Sequence, residues 1–173
     1  MKFRVRLFSA PDDRHSAERA AVLFIRRRVF IEEQGVPEAL EIDVHDDEPS
    51  TVYALLTEAA TGRPLGCLRL RPYGDRTVKV ERVAVLKEAR QNGAGRALMN
   101  AAEAWARENG HVRAYLHAQG PVVGFYETLG YRPVGAPFVE AGIPHQAMEK
   151  ALVEAVRDRR LDLPDPPRGP KAP

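Results

Sequence analysis

The chain has 173 residues and nearly balanced charge, 26 Lys and Arg against 24 Asp and Glu, for a formal net charge of +2. That length suits one domain with a substantial core, and that balance excludes the broadly basic surface of a nucleic-acid-binding protein. A single cysteine, Cys67, excludes an intrachain disulfide and a cysteine-based metal centre.

Lys2–Ser9 sets Phe3, Val5 and Leu7 against Arg4 and Arg6, the alternation of a half-buried strand. The same segment lacks the apolar centre of a signal peptide, and no apolar run approaches the roughly 20 residues of a membrane span. A cytoplasmic protein is therefore expected. Pro11-Asp12-Asp13 reads as a turn. From Ser16 to about Gln34, Ala20, Leu23, Phe24, Val29, Phe30 and Ile31 recur at mostly helical intervals, and Gly35-Val36-Pro37 ends the helix. Within it, Arg26-Arg27-Arg28 fans around the axis and reads as a solvated face.

Glu38–Ser50 holds six acidic residues and no sustained apolar period, so a loop is expected. Its run Asp43–Glu48 lacks the glycine of a calcium loop, and the five histidines show no close ligand spacing. No metal is expected. Thr51–Glu58, Leu65–Pro72 and Thr77–Leu86 then read as three strands joined by the turns Thr61–Pro64 and Tyr73–Arg76, an antiparallel meander. Cys67, among Leu65, Leu68 and Leu70, reads as a buried hydrophobe.

The third of these strands runs into Arg90-Gln91-Asn92-Gly93-Ala94-Gly95-Arg96. Ala94, Ala97, Leu98, Ala101, Ala104 and Trp105 follow at helical spacing. The glycines allow a tight turn and close approach of a ligand to the backbone, and the first N–H groups of the helix lack acceptors and face the positive end of its dipole. Arg90 and Arg96 flank this candidate anion site. Alone, the pattern is equally a connection into a core helix.

Asn109-Gly110 ends that helix. Val112–His117 reads as a strand, Val122–Leu129 as a helix closed by Gly130, and Tyr131–Val134 and Ile143–Ala151 as strands. A helix linking the strands that end at Leu86 and begin at Val112 makes a crossover unit, so those two strands should run parallel. A single domain is expected over residues 1–155, with a proline-rich basic segment, 156–173, of disordered composition.

Arg90, Gly93 and Gly95 match the R/Q-x-x-G-x-G/A turn of the GCN5-related N-acetyltransferases (GNAT), and Phe125-Tyr126-Glu127-Thr128-Leu129-Gly130-Tyr131 resembles that family's F-Y-x-x-x-G-F segment. The two stand in the family's order with a helix and a strand between. Val29-Phe30-Ile31-Glu32-Glu33-Gln34, Glu41-Ile42-Asp43, Leu116-His117-Ala118-Gln119 and Gly142-Ile143-Pro144-His145 are similar to the bacterial ElaA-like subgroup, and the likeness covers roughly residues 18–151. The resemblance implies an α/β fold with a central, mixed, mostly antiparallel sheet of about six or seven strands. Helices would cover both faces, and a parallel pair would splay at the centre.

It implies acetyl-CoA as co-substrate. The diphosphate would sit on backbone N–H groups of Gln91, Asn92, Gly93, Ala94, Gly95 and Arg96, near Arg90. The pantetheine arm would lie along Val83, Ala84 and Val85. Gln119 takes the place of an Asn common in the family and keeps a hydrogen-bonding amide. The reaction implied is direct attack of a primary amine on the thioester; a module that binds acyl-CoA without turnover is the alternative. Homodimers are frequent in the family.

The amine must be unprotonated to attack, and a lysine-type amine is only about 0.04 % neutral at pH 7. Glu81 is the candidate base, on the reading that strict alternation places it on one face with Val83 and Val85. Tyr126 is the candidate acid for the departing thiolate. Glu33, His117 and His145 are candidate acceptor-site residues, with Glu32, Glu33 and Asp43 expected to draw a cation. The sequence does not specify the amine.

Overall fold

The computed structural model describes residues 1–152. The proline-rich segment and the boundary expected after residue 155 lie outside the described residues. Among the described residues, eight strands form one sheet: β1 (Phe3–Ser9), β2 (Val52–Glu58), β3 (Pro64–Pro72), β4 (Thr77–Val85), β5 (Arg113–Gln119), β6 (Arg132–Pro133), β7 (Phe138–Glu140) and β8 (Ile143–Ala151). Their order is β1-β2-β3-β4-β5-β8-β6, with β7 also paired to β8. Every pairing is antiparallel except β4 with β5. The expected α/β architecture with a central parallel pair is what the chain adopts.

Helix α1 (Ser16–Arg26) packs on one face of the sheet, and α3 (Ala94–Glu108) and α4 (Val123–Thr128) on the other. The apolar stripe of α3, with Leu98, Met99, Ala102 and Ala106, is buried on Leu56, Leu68, Leu70, Val78, Val80 and Leu116. On the opposite face, Val22, Ile25 and Val29 meet Tyr53, Leu55, Cys67 and Ala84. Burial pushes the Cys67 thiol up to about 12, as befits an inert core residue. Among the described residues, no helix is long and apolar enough to cross a membrane.

The long first helix expected to reach Gln34 is α-helical only to Arg26, and residues Arg27–Glu33 continue as wider π-helical turns. Insertions of this kind cluster at functional sites. The arginine run is not a solvated face throughout: Arg27 and Arg28 are exposed, but Arg26 is completely buried. Its guanidinium bonds Glu41 (2.7 Å) and Asp46 (2.6 Å), both buried. The acidic loop accordingly has fixed structure, with α2 (Glu38–Glu41) followed by a 3₁₀ turn over Val44–Asp47 capped by Asp43. The short strand β7 escapes sequence reading because three residues carry no period; Ala141 and Gly142, both at positive φ (+50° and +73°), make its tight turn into β8.

Two departures from ideal pairing shape the centre of the sheet. The β4–β5 ladder ends at Val80 opposite Leu116, although β4 runs on to Val85 and β5 to Gln119. Beyond that point the facing edges diverge and their backbone groups lack a strand partner. In addition, Arg82 has φ +54° and the β3–β4 register shifts between Cys67 and Arg69, so two residues of β4 oppose one of β3. This is a β-bulge, and it sets which side chains reach each face.

Candidate active site

The turn after β4 is the candidate anion cradle. Gly93, at φ +83°, precedes the first residue of α3, and Gln91 is also left-handed at +63°. The first N–H of this region to find a backbone acceptor is that of Ala97, which donates to the Gly93 carbonyl. The N–H groups of Gln91 through Arg96 thus have no backbone acceptor among the described residues, as an anion-binding helix start requires. Ala94 is buried beneath them, and the Asn92 side chain donates to the Arg90 carbonyl (3.1 Å), bracing the turn.

Arg90 does not face this cradle as expected. Its Nε donates to the Val85 carbonyl (2.9 Å) and its Nη2 to Glu33 (2.8 Å), so it ties the turn to the π-helical segment. Arg96 reaches Thr128 of α4 (3.4 Å). Gly95 permits a second close approach, because a Cβ there would stand 3.1 Å from Cζ of Phe125. The two sequence motifs are therefore in contact: α4 rests on the first turn of α3 through Phe125, the residue before Tyr126.

Tyr126 is buried between Phe125 and Tyr131, with ring centroids 5.1 and 5.8 Å away. Desolvation pushes its phenol up, so it is a neutral hydrogen-bond donor at any working pH. Its hydroxyl has no hydrogen-bond partner among the described residues.

Glu81 lies on the other face, and here the reading of strict alternation is corrected. The bulge sends the side chains of both Glu81 and Arg82 to the α1 side, with Ala84, while Val83 and Val85 pack toward α3. Glu81 accepts from Arg69 (2.9 Å) and from Arg71 (2.9 Å to each oxygen), and Lys79 stands 3.3 Å away. Burial alone would raise its pKa, but Arg71, Arg69 and Lys79 outweigh that and hold it well below the usual carboxylate range. Such a carboxylate is a weak proton acceptor.

The cation-attracting cluster expected of Glu32, Glu33 and Asp43 does not form, because each has its own arginine. Glu32 pairs with Arg28, Glu33 with Arg90, and Asp43 with Arg69 and Arg82. Arg69 and Arg71 were legible only as charges alternating with Leu68 and Leu70. The further partners of Arg69, Asp43 and Asp46, lie in a segment remote in sequence, so the network itself was not.

His117 is the first residue of β5 past the last rung, directly across the divergence from Glu81 by register. Its Nδ1 is 3.4 Å from Glu140 and its Nε2 3.1 Å from the Tyr115 hydroxyl. Gln119 exchanges two hydrogen bonds with Gln34 (2.8 and 3.2 Å), spanning from β5 to the end of the π-helical segment. His145 is nearly buried, within hydrogen-bond distance of the Ile143 carbonyl (2.7 Å), and stacks on Phe138. Among the described residues, no group of three His, Cys, Asp or Glu side chains converges as a metal site would require.

A mixed sheet whose central parallel pair splays beside a helix start with free N–H groups is the architecture of the acetyltransferase (GNAT) fold. A family model described as the acetyltransferase (GNAT) domain matches residues 12–152, and the chain belongs to that family. The uncharacterized N-acetyltransferase YjcF of Bacillus subtilis is 38% identical over 128 residues, which cover 73% of this chain and 88% of YjcF. Among solved structures, an acyl-CoA N-acyltransferase from Pseudomonas aeruginosa is similar at 28% identity and TM-score 0.74, covering 87% of this chain and 100% of that one. Escherichia coli ElaA shares the fold at TM-score 0.74 and 24% identity, with 86% of this chain and 99% of that one covered.

Gly93→Ala tests the cradle. A Cβ there meets nothing within 4 Å, so its effect is the left-handed backbone alone, costing about 1 kcal/mol. The expected result is a melting temperature lower by about 2–4 °C and weaker acetyl-CoA binding, read by calorimetry.

Proposed function

We propose that the protein is an acetyl-CoA-dependent N-acetyltransferase that acts by direct attack of a primary amine on the thioester. The observation that carries this reading is the joint one at the centre of the sheet: β4 and β5 edges without a strand partner beyond Val80 and Leu116, leading to six N–H groups from Gln91 to Arg96 without a backbone acceptor among the described residues. The backbone of Val83, Ala84 and Val85 would receive the pantetheine arm, and the turn the diphosphate. Tyr126, neutral and without an internal partner, would donate to the sulfur as the thioester opens. The face bearing Glu81, His117, Gln119 and His145 would receive the amine, with Glu33 acting on the donor turn through Arg90. Glu81 holds Arg69 and Arg71 in place on that face, a positioning role.

The expected result is selective stabilisation by acetyl-CoA. At about 100 times its dissociation constant, a ligand that binds only the folded state contributes roughly 2.7 kcal/mol, or a rise of about 5–10 °C in a chain of this size. ATP and NAD at the same concentration should give a smaller rise. Equal stabilisation by all three would overturn the donor assignment. Thiol release from acetyl-CoA in the presence of amines separates a transferase from a module that only binds.

A further inference from the structure

Resting on the acyltransferase reading, we propose that His117 is the proton acceptor for the attacking amine and that Glu140 is its positioning residue. Two polar side chains flank the point where β4 and β5 part, Glu81 from one strand and His117 from the other. They are in opposite states. Glu81 is surrounded by three cationic side chains, whose hydrogen bonds and charge occupy both of its oxygens. Among the described residues, no cationic side chain hydrogen-bonds His117. Its Nδ1 lies 3.4 Å from the Glu140 carboxylate, which when ionised can only accept, so the tautomer that pairs with Glu140 is Nδ1–H, with the Nε2 lone pair as acceptor, 3.1 Å from the Tyr115 hydroxyl.

The groups facing His117 come from four strands: Tyr115 from β5, Lys79 and Glu81 from β4, Glu140 from β7 and His145 from β8. Desolvation, Lys79 and His145 favour the neutral ring, and Glu140 opposes them; the net direction is below the ordinary histidine value near 6.5. The ring is therefore neutral and basic at pH 7. It is also built into a continuous aromatic strip, Tyr73–Tyr115–His117–Phe138, with successive centroids 5.2, 5.4 and 4.8 Å apart. That strip would seat an amine next to the divergence.

In the step proposed, the amine nitrogen bonds to the thioester carbonyl carbon and its surplus proton moves to Nε2 of His117, in place of the Tyr115 hydrogen bond. As the carbonyl re-forms, the carbon–sulfur bond breaks and the sulfur leaves with the electron pair as a thiolate, which accepts a hydrogen bond from Tyr126 and takes its proton from water. The imidazolium returns its proton to water. Glu140 keeps the receptive tautomer and stabilises the cation as it forms.

The test uses the full chain with acetyl-CoA and benzylamine, or with water as nucleophile where benzylamine yields no product, and follows CoA thiol. His117→Gln is expected to lower kcat about 100-fold while the KM for acetyl-CoA stays within about twofold. The wild-type low-pH limb, below about 6.5, should disappear in this variant. Glu140→Gln should retain the limb but move it to lower pH, because a carboxylate that raises the histidine's pKa has been removed. Acetyl-CoA-induced thermal stabilisation of each variant verifies an intact donor site.

Wild-type kcat and pH limb in His117→Gln would overturn the assignment. So would loss of the limb in Glu81→Gln with its retention in His117→Gln. Failure of acetyl-CoA to stabilise the wild-type protein, with no thiol released, would instead overturn the acyltransferase reading beneath it.

Discussion

Asp46→Ala is expected to destabilise the fold by about 3–5 kcal/mol, lowering the melting temperature on the order of 10 °C. The Asp46 carboxylate is 1% exposed and accepts from Arg26, Arg69 and the Tyr53 hydroxyl, at 2.6, 3.0 and 2.6 Å. Removing it leaves two buried guanidinium groups short of a counter-charge, and an unpaired buried charge is far more costly than a missing contact. Thermal unfolding monitored by circular dichroism checks this. Asp47→Ala is the control, since that side chain is exposed and, among the described residues, pairs only with Arg19; its change should stay within about 0.5 kcal/mol.

The same carboxylate makes a pH prediction. Burial would raise its pKa, but hydrogen bonding and charge from Arg26, with Tyr53 and Arg69, outweigh that and hold it below the unfolded value. A group depressed on folding contributes stability above its unfolded pKa, near 3.9, and loses it as pH falls toward the folded value. The difference between wild type and Asp46→Ala should therefore be full above about pH 5 and shrink progressively in acid. A difference that grew on acidification would contradict the ion network.

Tyr126→Phe is expected to lower kcat about 100-fold, roughly 2.7 kcal/mol of transition-state stabilisation, with acetyl-CoA affinity within about twofold. The ring is held by Phe125 and Tyr131, so phenylalanine preserves the packing and removes only the hydroxyl. Because burial makes the phenol a weaker acid, its contribution is chiefly a hydrogen bond to sulfur, which strengthens as thiolate charge develops. Steady-state kinetics with acetyl-CoA varied at saturating amine separates the two parameters. Unchanged turnover would remove Tyr126 from the chemistry, and a loss confined to acetyl-CoA affinity would make it a binding residue.

Much of this arrangement was legible from local pattern. The glycine turn, the stripe of α3 and the Phe125-Tyr126 segment are each encoded within a few residues, and chain order alone made β4 and β5 parallel. The ion network was not legible. Arg26 sits in a run of three arginines of which the other two are exposed, and its partners Glu41 and Asp46 occupy a segment whose composition resembles a solvated loop. Glu81 and His117 show the same limit at the site. Whether a carboxylate or an imidazole is the better base depends on its neighbours, and Arg69, Arg71 and Glu140 come from other strands.

By itself, then, the sequence determined what depends on near neighbours along the chain: helix and strand periods, the backbone freedom of Gly93, and the order of elements that yields a mixed sheet with one parallel pair. Only the tertiary structure decided which charges are compensated and which face each side chain of β4 occupies. The reason is physical. One left-handed residue, Arg82, shifts the two-residue alternation of a central strand, and the pKa of a buried group is set by charges a few ångströms away in space, wherever they stand in the chain.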